Sequence, residues 1–225
     1  MAGSGVFGKI PSHGDFVQRS LPPDFVKPWD DWLQAGLASS KDVLGADWLD
    51  IYLTSPVWRF ALASGLAGNV GAAGLFIPSV DRVGRYFPFT LATLAGDASP
   101  LELRSNAGDW FAAAEALALS VLEEDFSFDD LMAALEDLTL PPPPSAEPVT
   151  PDPWRFAENG GEDSGAALQN HLAAKLASGY GLFWTSGSAV VAPSTLLVRQ
   201  MPSARQFTAL LDGAWADHGW REEAS

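Results

Sequence analysis

The stretch Pro78–Pro88 (Pro-Ser-Val-Asp-Arg-Val-Gly-Arg-Tyr-Phe-Pro) constrains this chain more than any other part of its sequence. It joins two apolar runs, Gly74–Ile77 and Phe87–Leu94, that read as buried strands. A connection between such strands should be short and neutral, yet this one carries Asp81, Arg82 and Arg85. Charges placed there cost desolvation unless they pair with one another or face a partner. The segment is therefore either a working surface or a buried ionic lock.

With 225 residues, 47% of them apolar, the chain can bury a full core as one large domain or a domain with a subdomain. No run of 18 apolar residues occurs, which argues against a membrane span. The first residues lack a basic region followed by an apolar one, which argues against a signal peptide. Cysteine is absent, so disulfides, thiolate catalysis and Cys-based metal sites drop out. The net charge of −15 is uneven: residues 1–96 hold seven Lys/Arg against eight Asp/Glu, and residues 97–225 hold six against twenty. An acidic second half repels phosphate backbones and disfavours nucleic acid. It reads as solubilising charge on helix faces or, failing that, as a field that steers a partner.

Along the chain, Val6–Ile10 predicts a first strand, stopped by Pro11. Phe25, Trp29, Trp32, Leu33 and Leu37 line one face of a helix over Pro23–Leu37, with Asp24 able to cap its start. Trp48–Leu53 reads as a short helix and Val57–Leu62 as a strand. Ser99-Pro-Leu-Glu102 has the form of a capping box, opening a helical stretch that Gly108 interrupts, and Ser127 caps a further helix through Leu138. Prolines dominate Thr139–Gly165, predicting a strap or linker without helix or strand. A helix over Ala166–Ser178 comes next, then strands Tyr180–Thr185 and Ala189–Pro193 turning at Ser186–Ser188, with Ser194–Arg199 extending or adding a strand. Ser203–Trp215 reads as a last amphipathic helix.

These elements give an α/β fold of α+β type. A largely antiparallel mixed sheet of about five to seven strands is covered by helices, with a longin-like arrangement as one possibility. The expected organisation is a main region over 1–138, the Pro-rich strap over 139–165 and a helix–hairpin–helix part of the same domain over 166–225.

Few routes to catalysis are visible. Gly3–Gly8 matches a dinucleotide fingerprint in letters, but no strand precedes it and Pro11 breaks the helix that should open at its end. His13, His171 and His218 lie in unrelated segments without metal-ligand spacing. Ser12-His-Gly-Asp15 gathers a hydroxyl, an imidazole and a carboxylate, but triads are assembled from distant segments. Here Asp15 is expected to cap a backbone N–H or hold the imidazole. Arg82 and Arg85 either neutralise Asp81 and Asp15, tying two loops together, or grip a carboxylate or phosphate. The nine tryptophans predict an aromatic core, Trp58 beside Arg59 included.

Six segments carry a resemblance in kept order: Phe7–Phe16, Trp29–Leu37, Ser55–Phe60, Pro78–Pro88, Phe183–Ser188 and Phe207–Trp215. Together they resemble the TagF family, accessory proteins encoded with bacterial type VI secretion systems, from about Val6 to Trp215. The resemblance implies a cytoplasmic, non-enzymatic, post-translational repressor that engages the forkhead-associated (Fha) scaffold of the apparatus. It implies no cofactor, no metal, no nucleic acid and no membrane insertion. Some family members are fused to a phosphatase, but no such domain fits in this chain and its metal-binding carboxylates have no counterpart here. The expected partner-binding or structural cluster is His13, Asp15, Asp81, Arg82, Arg85 and Tyr86. The competing reading is a hydrolytic or phosphate-handling enzyme that uses His13, Asp15, Asp81, Arg82 and Arg85.

Overall fold

A computed structural model describes residues 3–142 and 179–221. Its centre is a seven-stranded sheet in which every neighbouring pair is antiparallel. The strands are β1 (Gly5–Gly8), β2 (Val17–Arg19), β3 (Trp58–Leu62), β4 (Gly71–Ile77), β5 (Phe89–Gly96), β6 (Gly181–Thr185) and β7 (Ser194–Val198). They lie in the order β2-β1-β5-β4-β3-β6-β7. The expected sheet is thus found without any parallel pairing.

Side-chain alternation puts a separate core on each face. Trp58, Phe60 and Leu62 of β3, with Phe76 and Phe183, meet α1 (Pro23–Leu44), α2 (Trp48–Leu53) and α6 (Ala204–Asp212). On the other face Ala61, Leu75, Ile77, Phe89 and Leu91 meet α3 (Pro100–Asn106), α4 (Gly108–Ser120) and α5 (Phe128–Asp137). Central strands buried on both faces are apolar throughout, as β4 is.

The first core is built on tryptophans whose ring N–H groups each reach an acceptor, so their bulk is buried without orphaning a donor. Trp29 donates to Thr90 Oγ1 (3.0 Å), Trp32 to the Pro202 carbonyl (2.8 Å) and Trp58 to the Leu210 carbonyl (2.9 Å). Helices α1 and α6 cross at Gly36, where an added Cβ would sit 2.3 Å from the Phe207 ring.

Several boundaries differ from the sequence-based expectation. Helix α1 continues past Leu37 because Ser40, polar but buried, keeps the period running to Gly45. Its N-cap is Pro22, without a side-chain cap bond, so Asp24 acts only as an acidic first-turn residue. Ser99 makes no side-chain cap bond, so the box expected there is not formed. A complete capping box closes on α6 instead, between Ser203 and Gln206, and that helix stops at Gly213 rather than Trp215. Strand β2 leaves no mark in the sequence, since only Val17 of its residues is buried and three residues show no period.

The partner of β6 is Ser194–Val198, with alternating burial, and Ala189–Pro193 lies in the connecting loop. Pro193 cannot donate to a ladder. His218, expected in a polar tail, is buried, with Nε2 2.7 Å from Asp212 Oδ2. The helix expected over Ala166–Ser178, His171 and most of the Pro-rich strap lie outside the described residues.

Candidate functional site

Sheet order explains why two segments some seventy residues apart can meet. Strand β5 lies between β1 and β4 and pairs with both, Gly8 and Ile77 each standing opposite Phe89. The chain therefore leaves β1 and β4 at the same end of the sheet, and Lys9–Phe16 and Pro78–Pro88 emerge side by side. Gly8 makes the exit possible: its φ is +133°, and a Cβ there would meet the Pro88 carbonyl oxygen at 2.1 Å.

The second segment is a hairpin folded around one carboxylate. Val80 bridges Tyr86, the Asp81 amide donates to the Arg85 carbonyl (3.0 Å), and the Phe87 amide donates to the Ser79 carbonyl (3.1 Å). Asp81 is fully buried at its side chain and all its acceptor directions are used. Oδ1 accepts from the backbone N–H of Val83 (3.0 Å) and of Arg85 (2.8 Å). Oδ2 accepts from Lys9 Nζ (2.8 Å) and Arg85 Nε (2.7 Å). Burial alone would push this carboxyl up. The Lys9 ammonium and the Arg85 and Val83 donors outweigh it and hold the group well below the usual carboxylate range.

Lys9 is the member that sequence reasoning misses. Its side chain is 6% exposed, and its ammonium also lies 5.0 Å from the Phe16 ring centroid. The available signal is its setting, a lone cation between Phe7 and Ile10 at the end of a buried strand. Arg85 ties the two segments a second time, its Nη2 donating to the Gly14 carbonyl. The Arg82 amide adds a third tie, to the His13 carbonyl at 2.9 Å. From below, Tyr52 on α2 clamps the start of the hairpin, its hydroxyl donating to the Ser79 carbonyl and accepting from the Ser79 amide, both at 2.9 Å. Burial pushes the Tyr52 phenol well above its ordinary range, so it stays a neutral donor.

The six residues singled out in the sequence fall into distinct places. Asp81 and Arg85 form the lock. His13 adjoins it through its backbone, while its ring Nδ1 lies 2.9 Å from Ser12 Oγ and the ring itself 5.2 Å from that of Phe128. Asp15 is exposed and accepts from the next amide, Phe16, at 2.8 Å; it neither holds the imidazole nor pairs with either arginine. Tyr86 packs edge-on against Trp48 and Tyr52. Arg82 is exposed, and among the described residues its guanidinium has no ion-pair partner.

Phe16 (43% exposed), Val83 (65% exposed), Arg82 and Asp15 lie outward, as does much of the Arg85 side chain, on a hairpin tied three times to Lys9–Phe16 and clamped by Tyr52. A carboxylate with four donors and a depressed pKa is a poor base at neutral pH, and an imidazole facing a serine and a phenylalanine lacks a carboxylate to orient it. The site can present a rigid surface.

Residues 5–138 match the family model of the TagF N-terminal domain, type VI secretion system-associated. This chain belongs to the TagF family. It is also similar to the solved structure of PA0076 from Pseudomonas aeruginosa PAO1, with 38% identity and a TM-score of 0.82. That match covers 99% of this chain and 96% of the other. No curated protein matches the chain. Type VI secretion association and the α+β fold thus hold for this TagF-family chain. Among the described residues no helix is long and apolar enough to cross a membrane, and no group of three or more His, Asp or Glu could hold a metal.

Proposed function

We propose that this TagF-family protein is a cytoplasmic, post-translational repressor of type VI secretion. In this reading it acts by stoichiometric binding of an apparatus component such as the Fha scaffold, and it turns nothing over. The observation that carries the reading is the division of labour in the cluster. Asp81, Lys9 and Arg85 are consumed in holding the hairpin, while Arg82, Val83 and Phe16 are left facing outward. A charge flanked by apolar side chains on a preorganised support is the kind of patch in which a few residues dominate binding energy.

Capture of the scaffold from the native host tests this. Arg82→Glu should weaken capture by about 2 kcal/mol or more, roughly thirtyfold in affinity, if Arg82 is a hot spot. Its unfolding midpoint should stay put, because among the described residues the guanidinium makes no ion pair or hydrogen bond. Repression should scale with the amount of protein relative to its target. Full repression by the Arg82→Glu protein, or repression at amounts far below those of the target, would overturn the proposal.

A further inference from the structure

A second cluster lies on the opposite strands of the sheet, away from the hairpin. Arg59 on β3 and Trp184 on β6 stand directly across from one another, on the face covered by α3 and α4. Arg59 is paired through Nη2 with Glu115 of α4, and its Nη1 reaches Ser186 Oγ at 3.4 Å. Arg104, near the end of α3, lays its guanidinium over the Trp184 ring, 5.2 Å from the centroid. Phe111 also packs edge-on against that ring system, at 4.7 Å.

The charges do not balance. The one carboxylate, Glu115, pairs with Arg59, and among the described residues Arg104 meets a ring but no acid. Arg104 is half-buried, and its basicity is lowered first by that burial and then by the charge of Arg59. Removing a cation from water beside a like charge is unfavourable unless an anion completes the group. A protein of net charge −15 has ample acidic side chains for such a purpose, yet among the described residues only Glu115 forms an ion pair in this cluster, and it does so with Arg59. A guanidinium held over an indole ring can still offer its N–H edge to a planar acceptor.

We infer that Arg104, with Arg59, Ser186 and the Trp184 ring, forms a binding site for a single carboxylate group. One carboxylate would bring the local charge to zero, whereas a phosphate dianion would overshoot. The planar fork of an arginine also matches a carboxylate in two parallel hydrogen bonds. The source could be an acidic side chain of a protein partner or a small free acid. This inference stands apart from the hairpin surface and from the identity of any partner bound there.

Fluorine NMR on the full chain labelled with 5-fluorotryptophan tests it, with the Trp184 resonance assigned through Trp184→Phe. Sodium acetate, exchanged for sodium chloride at constant ionic strength, should shift that resonance along a saturating curve. The saturating shift should vanish in Arg104→Gln and persist in Arg82→Gln. Inorganic phosphate should bind no more tightly than acetate. A glutamate-containing peptide that saturates at least tenfold below acetate would support the inference and mark the source as a protein side chain. Equal saturation would support it with a free acid as the source. A response linear in acetate, a saturating response that survives in Arg104→Gln, or tighter binding of phosphate would each overturn it.

Discussion

Removing one oxygen atom from Tyr52 should loosen the whole hairpin surface. Tyr52 is 1% exposed and Ser79 is 2% exposed, and the hydroxyl serves both the amide and the carbonyl of Ser79 at 2.9 Å. Tyr52→Phe preserves the ring, and with it the stacking on Trp48 and the edge contact with Tyr86. What it removes is two hydrogen bonds: the buried Ser79 amide is left without a partner, whereas the Ser79 carbonyl keeps the bond from the Phe87 amide. The bond lost at the carbonyl is worth about 1 kcal/mol net and the orphaned amide costs about 1–3 kcal/mol, so a loss of about 2–4 kcal/mol is expected.

Urea unfolding at pH 7 should show this as a lower midpoint with an unchanged slope. In a chain of this size the melting temperature should fall by roughly 4–16 °C. The sign of the pH dependence comes from the raised phenol pKa. The neutral phenol is favoured in the folded state, so its contribution is complete below the unfolded value of about 10 and is lost as pH rises beyond it. The gap between the two proteins should therefore be flat from pH 6 to 9 and narrow above about pH 10. A loss below about 0.5 kcal/mol at pH 7, the scale of an ordinary surface change, would refute the claim that Tyr52 anchors the hairpin.

Asp81→Asn should flatten the acid limb of stability: the depressed carboxyl contributes above its unfolded pKa of about 4, and that contribution disappears as pH falls below it. Equal pH slopes for both proteins between pH 4 and 2 would count against the lock. Lys9→Met should destabilise the fold, and adding Asp81→Asn should recover part of the loss, as a double-mutant cycle would read; additive effects would show that the pair is uncoupled. Gly36→Ala should cost about 1–3 kcal/mol through overpacking against Phe207, with Phe207→Leu relieving some of it; a neutral Gly36→Ala in a thermal melt would show that the α1–α6 contact can open. Ser203→Ala should lower stability by about 1 kcal/mol by removing the cap of α6, whereas Ser99→Ala should lose no cap bond and change far less in the same melt.

Local period and local chemistry determined a good deal by themselves. The apolar spacing of Phe25, Trp29, Trp32 and Leu33 fixes which face of α1 is buried, and the unbroken apolar run of β4 requires helices on both sides of the sheet. The charged hairpin between two such strands already required that Asp81 pair with a cation or face a partner. Each of these is a property of neighbouring residues, so it survives without knowledge of the fold. The sequence offered Arg82 and Arg85, of which Arg85 pairs with Asp81, and did not point to Lys9. Lys9 and Asp81 meet because β5 happens to lie between β1 and β4, and strand order is a property of the whole chain. The same holds for Arg59 and Trp184, brought opposite one another by the pairing of β3 with β6. It also explains Asp15, which as a candidate for the lock is equivalent to Asp81 in the sequence but ends up in water. Whether a charge is buried and paired depends on distances between segments remote in sequence. Desolvation and Coulomb energies are set by those distances, and only the folded chain determines them.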